Sequence, residues 1–425
     1  MKRVIIFLAA VVLATVQAAV DFHGHRYDAM NIMPVHSGDI VFVGNSITNM
    51  HEWWEAFGCR NNILNRGVSG CVSKETLDNI DSVVAGHPAK VFLMVGTNDL
   101  ARKLSPYSIA YNVGKIVGRF KTESPETEIY IQSILPVAEG NVRSAEDIIA
   151  LNGLYRDICE RENLTYIDLW SKFVEPGTTH INPAYTKDGL HPYPSGYKVW
   201  CDGISRYVGF ECIYEDRAFN DCGIPGSLGM RAAAFDLLPI CEDDIVMLGD
   251  ELIHGGEWHE LLGNPKVRNR GSGWAFGTPW IETIIEEIPA IFSSGKSPAQ
   301  IYIHAGAGEV ARNEPADTVV AKMHRLVDAV KAAAPESKLF LMAMQPVSPV
   351  CRPIAEQQEI NARIGTMAAE LGAEFVDIFT PLEEGREEGL VRGNFVFGKG
   401  YLKMARILSG KMGLKLTRTN AVGTK

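Results

Sequence analysis

Apolar and polar positions follow two rhythms along this chain. Short, nearly continuous apolar runs stand near residues 40–44, 91–95, 128–134 and 164–168. Between them lie longer stretches of helical period: ETLDNIDSVVAG at 75–86, SPYSIAYNVGKIVGRF at 105–120 and SAEDIIALNGLYRDICERE at 144–162. Continuous apolar strands separated by amphipathic helices predict a parallel sheet covered on both faces. In such sheets functional sites form in the loops that leave the carboxyl ends of the strands.

The rhythm occurs twice. IVFVGNSITNMHEW at 40–53 runs in register with IVMLGDELIHGGEW at 245–258. RYDAMNIMPV (26–35) matches RAAAFDLLPI (231–240), and NRGVSG (65–70) matches the shorter NRGSG (269–273). HPAKVFLMVGTND (87–99) matches SPAQIYIHAGAGE (297–309), and IYIQSILPV (129–137) matches LFLMAMQPV (339–347). YIDLW (166–170) matches FVDIF (375–379), and SGYKVW (195–200) faces KGYLKM (399–404). A repeat this long is a tandem duplication of a whole domain rather than a solenoid. The linker is expected near 213–228, giving a first domain at 20–213 and a second at 214–425.

Composition narrows the class. The 425 residues are 46% hydrophobic and 22% charged, ordinary for a globular protein. The net charge of -10 speaks against nucleic acid or an anionic membrane surface as the main partner. The opening MKRVIIFLAAVVLATVQAAV has a positive start, a short apolar run and small residues, the pattern of a signal peptide cut after Ala18 or Ala19. The expectation is a chain exported to the periplasm or beyond. Its eight Cys could pair there, but none has metal-type CxxC spacing, and the sequence assigns no bridges.

The candidate chemistry is in the first copy. Ser46 follows the strand IVFVG and should open a helix. Asp188 precedes His191 by three residues, so one turn can bring its carboxylate to the imidazole. That carboxylate can hold the ring's tautomer while His191 takes the Ser46 proton. The amides of Ser46 and Gly70 and the carboxamide of Asn98 could supply donors to a tetrahedral oxyanion. Three strand ends of one parallel sheet can bring these groups together. Trp53, Trp54 and Tyr193 could stack on a sugar, although core packing is their commoner use. Arg66 could meet a substrate carboxylate or a structural partner.

The blocks GNSIT, NRGVSG, GTND and DGLHP, in this order, resemble the SGNH hydrolases, also called the GDSL lipase/esterase family. Asn45 stands where the family's name implies Asp. The resemblance spans about residues 25–210. It implies a three-layer α/β/α domain of flavodoxin-like type, here in two tandem copies, and ester hydrolysis with no metal or organic cofactor. Ser46 would be the nucleophile, His191 the base and Asp188 its orienter. Ser46, Gly70 and Asn98 would line the oxyanion hole. The chain is similar to secreted sialate O-acetylesterase-like and acetylhydrolase-like members, which implies short acyl groups on a small-molecule or glycan ester. A lysophospholipase or thioesterase and a non-catalytic glycan-binding protein remain alternatives.

The second copy keeps the scaffold and loses the chemistry. Glu251 stands at the Ser46 position and Gly308 at Asn98, while Gly273 retains Gly70. Aligning Gly196–Tyr197 with Gly400–Tyr401 puts Arg392 at Asp188 and Phe395 at His191. Asp168 and Asp377, present in both copies, should serve the fold. Glu251, Glu309 and His254 could form a new site, but a structural role fits this copy better.

Overall fold

A computed structural model describes residues 23–416, apart from 216, 222, 225 and 274–279. The leader, with Ala18 and Ala19, and Cys222 lie outside the described residues. The chain divides into two compact units, one of residues 34–239 and one of residues 1–33 with 240–425.

Residues 34–239 form one α/β unit. Its strands are β1 Ile40–Gly44, β2 Ile63–Gly67, β3 Lys90–Met94, β4 Glu128–Gln132 and β5 Thr165–Ile167. They make a parallel sheet in the order β2-β1-β3-β4-β5. The order reverses at β1, so its carboxyl end opens into a crevice. Both faces of the sheet are buried, which is why the strands read as unbroken apolar runs. On one face Phe42 stacks on Trp53 at 4.2 Å and on Phe92 at 4.9 Å, and Phe92 stacks on Tyr130 at 4.7 Å.

The predicted helices form at Pro106–Glu123 and Ala145–Glu162. Each starts on a serine, Ser105 or Ser144, whose side chain accepts a first-turn amide. The segment 75–86, expected as one helix, is two: Ser73–Asp78 and Asp81–Ala85. Asn79 makes the break, because its carboxamide donates to the Glu75 carbonyl at 2.9 Å and competes with the helical ladder.

The other unit repeats the plan. Its strands are β6 Ile245–Gly249, β7 Val267–Gly271, β8 Gln300–His304, β9 Lys338–Met342 and β10 Glu374–Val376, in the order β10-β9-β8-β6-β7. A two-residue hairpin pair follows, β11 Val391–Arg392 with β12 Phe395–Val396.

The units meet in sequence at Pro239/Ile240, not at 213/214 as the linker composition suggested. Residues 213–214 are anchored within the first copy: the Ile213 amide donates to the Ala56 carbonyl at 2.8 Å, and Tyr214 is buried. The helix Gly226–Asp236 comes next and packs in the same unit. Its Arg231 donates to the Met50 carbonyl at 2.9 Å and to Glu52 Oε1 at 2.6 Å. The helix at 23–31 does the same in the other unit, where Arg26 donates to the Gly255 carbonyl at 2.8 Å and to Glu257 Oε1 at 2.5 Å. The helix that leads into each copy's first strand therefore completes the unit built around the other copy's sheet.

Both ion pairs are buried, which sets the energetic sign. Arg231→Leu should strand the Glu52 charge and cost about 3–5 kcal/mol, whereas joining Glu52→Leu to it should recover most of that loss. Urea unfolding of the two variants measures the difference, and equal stabilities would contradict the buried pair.

Candidate active site

The loop after β1 begins with Asn45, whose side chain accepts the Ile47 amide at 3.0 Å and caps the helix Ser46–Asn49. Ser46 is therefore the first residue of a helix, where its own N–H has no intrahelical acceptor. Its Oγ lies 2.9 Å from His191 Nε2, and His191 Nδ1 lies 2.7 Å from Asp188 Oδ2. The other carboxylate oxygen, Oδ1, accepts the amides of Leu190 at 2.9 Å and His191 at 2.8 Å. Thr186 fastens the turn by donating to the His191 carbonyl at 2.8 Å. Burial opposes charge on Asp188. The hydrogen bond and charge of His191 and the two amides outweigh it, so the carboxyl lies below its ordinary range. It stays ionised and can stabilise an imidazolium.

The donor side is built by two neighbouring loops. Residues 69–70 turn just past β2, with Gly70 at φ +82°. Asn98 sits in the short helix Thr97–Ala101 just past β3, and its Nδ2 donates to the Cys71 carbonyl at 2.9 Å. One N–H of that carboxamide remains for a ligand. Its Oδ1 accepts from Arg143 Nη2 at 3.3 Å, which fixes the amide's orientation. Arg143 also donates to the Thr97 carbonyl at 2.8 Å and is itself buried. Asp99 holds the loop from below, accepting the Ser73 amide and hydroxyl.

Ser46, His191 and Asp188 thus form one hydrogen-bonded line, with Gly70 and Asn98 on the adjoining strand-end loops. Such a line can move a hydroxyl proton and stabilise the resulting charge, which is the chemistry of acyl transfer. Residues 42–199 and 255–393 match the GDSL-like lipase/acylhydrolase family. The chain belongs to that family. By family it is a carboxylic ester hydrolase. No curated protein matches this acylhydrolase. Among solved structures it is similar to a Streptococcus pneumonia protein named for platelet activating factor, at 26% identity and a TM-score of 0.44, over 47% of this chain and 99% of that one. It is also similar to a GDSL-like lipase from Bacteroides thetaiotaomicron (27%, TM-score 0.35, 40% and 87%). A third is an acetyl-xylooligosaccharide esterase from Geobacillus Stearmophilus (19%, TM-score 0.36, 42% and 98%).

Other candidates of the acylhydrolase lie elsewhere. Trp53 and Trp54 are 0% and 1% exposed, so neither offers a face to a sugar. Trp53 donates to the Thr48 carbonyl and Trp54 to Glu52. Arg66 is likewise buried and donates to the Asn65 carbonyl at 3.1 Å, away from solvent-borne ligands. Tyr193 is half-buried, with its hydroxyl donating to Asp221 at 3.2 Å. Asp168 and Asp377 each accept the backbone amide three residues on, Ser171 at 3.1 Å and Thr380 at 3.0 Å, the same structural task in both copies.

The second copy of the acylhydrolase has a different floor. The caps Tyr193 and Phe397 open equivalent helices, which places Phe395 at His191 and Arg392 at Asp188. Phe395 stacks on His25 at 5.0 Å, and exposed Arg392 lies over Phe397. Asp250 caps the helix Glu251–Gly255 and pairs with His304 at 2.9 Å. His254 bonds the Gly273 carbonyl at 2.8 Å, and Glu309 accepts the Ile281 amide at 2.8 Å, as Asp99 does for Ser73. Among the described residues Glu257, His259 and Glu260 come within 4.8 Å of one another, but Glu257 is already held by Arg26.

Glu251 Oε1 is sealed from solvent without a hydrogen-bond partner. Burial pushes its carboxyl up to about 8, and the charge of Asp250 adds to the rise. An acid whose folded value is raised contributes full stability below its unfolded value and loses it as pH climbs through the folded one. Glu251→Gln should therefore melt progressively higher than the parent as pH rises from about 5 to about 9. A melting difference that stays constant across that interval would contradict a neutral Glu251.

Proposed function

We propose that the first unit hydrolyses short acyl esters, chiefly acetyl groups on carbohydrates, after export of the chain, and that the second copy is non-catalytic. The observation that carries the reading is the unbroken line from Ser46 Oγ through His191 to Asp188. Ser46 attacks the acyl carbon as His191 Nε2 takes its proton. The amides of Ser46 and Gly70 and the free N–H of Asn98 receive the oxyanion. His191 then returns the proton to the leaving alcohol, and water repeats the sequence on the acyl-serine. The export-type leader supports a soluble extracytoplasmic ester. Exposed Arg102, which donates to the Gly70 carbonyl at 3.1 Å, gives the rim a polar character that suits a hydroxylated leaving group.

Ser46→Ala should fold normally and lose about 10^4–10^6 in kcat, since the triad acts as a unit. Asn98→Ala should lose about 10^2–10^3, the effect of one oxyanion donor. Turnover of p-nitrophenyl acetate measures both, and Ser46→Ala with more than about a tenth of the parent rate would remove Ser46 from the mechanism. Acetylated sugars should be preferred over longer acyl esters. A rate that climbs from acetyl to palmitoyl would instead favour a lysophospholipase or thioesterase. Adding Glu251→Ser to Ser46→Ala should restore nothing, because Phe395 cannot accept a proton and Gly308 has no side-chain donor. Recovered turnover would reveal a base in the second copy.

A further inference from the structure

One surface strip of the first unit lies beside the ester-cleaving line and is not used in packing. It begins at the loop that carries Asn98. The Leu104 amide donates to the Asp99 carbonyl at 3.0 Å, and Ser105 then caps the helix Pro106–Glu123. Tyr107 and Tyr111 follow at helical spacing on the outer face, about 6 Å apart along the axis. They are 76% and 65% exposed, so both rings stand in solvent. Arg102, Lys103 and Lys115 flank them, all exposed. Lys115 holds its ammonium 5.2 Å over the Tyr111 ring. Lys103 donates to the Val142 carbonyl, next to the Arg143 that holds Asn98, and Arg102 donates to the Gly70 carbonyl. Among the described residues none of these three cations is ion-paired, whereas nearby Lys74 pairs with Asp78 and Arg119 with Asp81 and Glu123.

The second copy shows that the fold does not require this strip. Its helix Ala316–Ala333 has the same 18 residues and follows the same turn. The Arg102 amide meets the Asn98 carbonyl at 3.1 Å, as the Arg312 amide meets that of Gly308, and Asn313 repeats the left-handed backbone of Lys103. Asp317 therefore stands at Tyr107, Ala321 at Tyr111, Glu314 at Leu104 and Arg325 at Lys115. There the charges are closed into ion pairs: Glu314 with Lys322 at 2.8 Å, Asp317 with Arg363 at 2.6 Å and Arg325 with Glu282 at 2.9 Å. An ordinary solvated face thus serves this helix equally well. The exposed rings and unpaired cations stand beside the Ser46 line and are not repeated at the matching positions.

We propose that this strip is the docking surface for an acidic glycan chain, whose acyl ester is presented to Ser46 while neighbouring sugar units lie on Tyr107 and Tyr111. The proposal rests on the reading of the first unit as an esterase of carbohydrate esters. A polymer that carries the ester must cross the rim, and the strip continues the rim outward from Asn98. The C–H face of a sugar ring is slightly positive and suits the negative face of a tyrosine ring. Carboxylates of uronate type then meet Arg102, Lys103 and Lys115, which supply the complementary charge. These cations form one patch on a chain whose net charge is -10, so the attraction is local. A contiguous exposed apolar surface that folding does not need marks a contact site.

The test measures binding apart from hydrolysis. The full chain is titrated calorimetrically with polygalacturonate, and with dextran as the neutral control. Polygalacturonate should bind and dextran should not. Joining Tyr107→Ala to Tyr111→Ala should weaken binding by roughly tenfold or more. Raising the salt from about 0.1 to about 1 M should weaken it too, as the screening length falls from about 10 to about 3 Å. The double variant should keep the parent's melting temperature and its turnover of p-nitrophenyl acetate, since both rings stand in solvent. Its KM for acetylated polygalacturonate should rise by the same factor, with kcat unchanged. Equal binding of dextran, or binding unchanged in the double variant, would overturn the proposal. So would preference for phosphatidylglycerol vesicles or single-stranded DNA, or self-association of the parent that the double variant loses. Turnover of p-nitrophenyl acetate without polygalacturonate binding would overturn the docking surface alone, and binding without turnover would overturn the ester-cleaving reading alone.

Discussion

The chemistry of this protein depends on a close approach at the end of one strand. Gly44 closes β1, and a Cβ there would sit 2.2 Å from Thr48 Oγ1 and 2.6 Å from the Met94 carbonyl. Only a residue without a side chain lets the chain turn there directly into the helix that Ser46 opens. The parallel register pairs Gly44 with Gly67 on one side and Met94 on the other. The loops bearing Ser46, Gly70 and Asn98 therefore leave the sheet at one level. Gly67 is equally crowded, since its Cβ would meet the Asn49 amide at 2.4 Å. The second copy keeps both constraints in Gly249 and Gly271 although Glu251 stands in place of Ser46. The glycines thus build the platform, and what stands on it is a separate matter.

Much of this was legible in the sequence because each candidate group is tied to a local pattern. A strand–Gly–Asn–Ser junction, a G-x-N-D loop and a D-x-x-H turn are each set by neighbours only a few residues away. The alternation of apolar runs with amphipathic stretches likewise carried the layer order, since a doubly covered parallel sheet leaves few other arrangements. What escaped reading acts across long separations. Arg143 reaches Asn98 from a loop with no motif of its own. The Trp53 and Trp54 rings look like sugar platforms in a string of letters, but both are buried, with Phe42 stacked on Trp53 and Trp200 packed steeply against it. The Asn79 break in a helical pattern rests on one carboxamide and a period-based reading passes over it. The composition of 213–228 suggested a linker, yet Tyr214 and Ile224 both bury themselves in the first unit.

The duplication separates architecture from function residue by residue. Asn65 and Asn269 make matching bonds to backbone carbonyls, and Asp99 and Glu309 cap matching helices with carboxylates of different length. These survive because each satisfies a buried backbone group in its own unit, and losing it would leave that group unpaired. Ser46, Asn98, Asp188 and His191 are not repeated: Asn98 and Asp188 also bond backbone groups, but of the Cys71 and Leu190–His191 turns, and the counterpart positions hold Glu251, Gly308, Arg392 and Phe395. Glu251 shows how far that difference extends: a carboxyl sits where a nucleophile would stand, protonated by its surroundings instead of matched by a partner.

The exchanged leading helices bear on how the chain is made. A ribosome releases Arg26 first, but the Glu257 it pairs with lies 231 residues later. Glu52 similarly waits 179 residues for Arg231. The first sheet cannot receive its outer helix when its own strands have emerged, whereas the second finds its helix already made. The first must hold Glu52 without Arg231 until the helix just ahead of the second copy's first strand has emerged, and the amino-terminal helix must stay uncommitted for longer still. At about 5–20 residues per second, that leaves both surfaces exposed for roughly ten seconds or more. Contacts of such separation slow the final folding step and lengthen the window for mispairing between nascent chains. A tandem gene with this connectivity therefore relies on keeping its two halves on one polypeptide, where each half's missing helix is always close at hand.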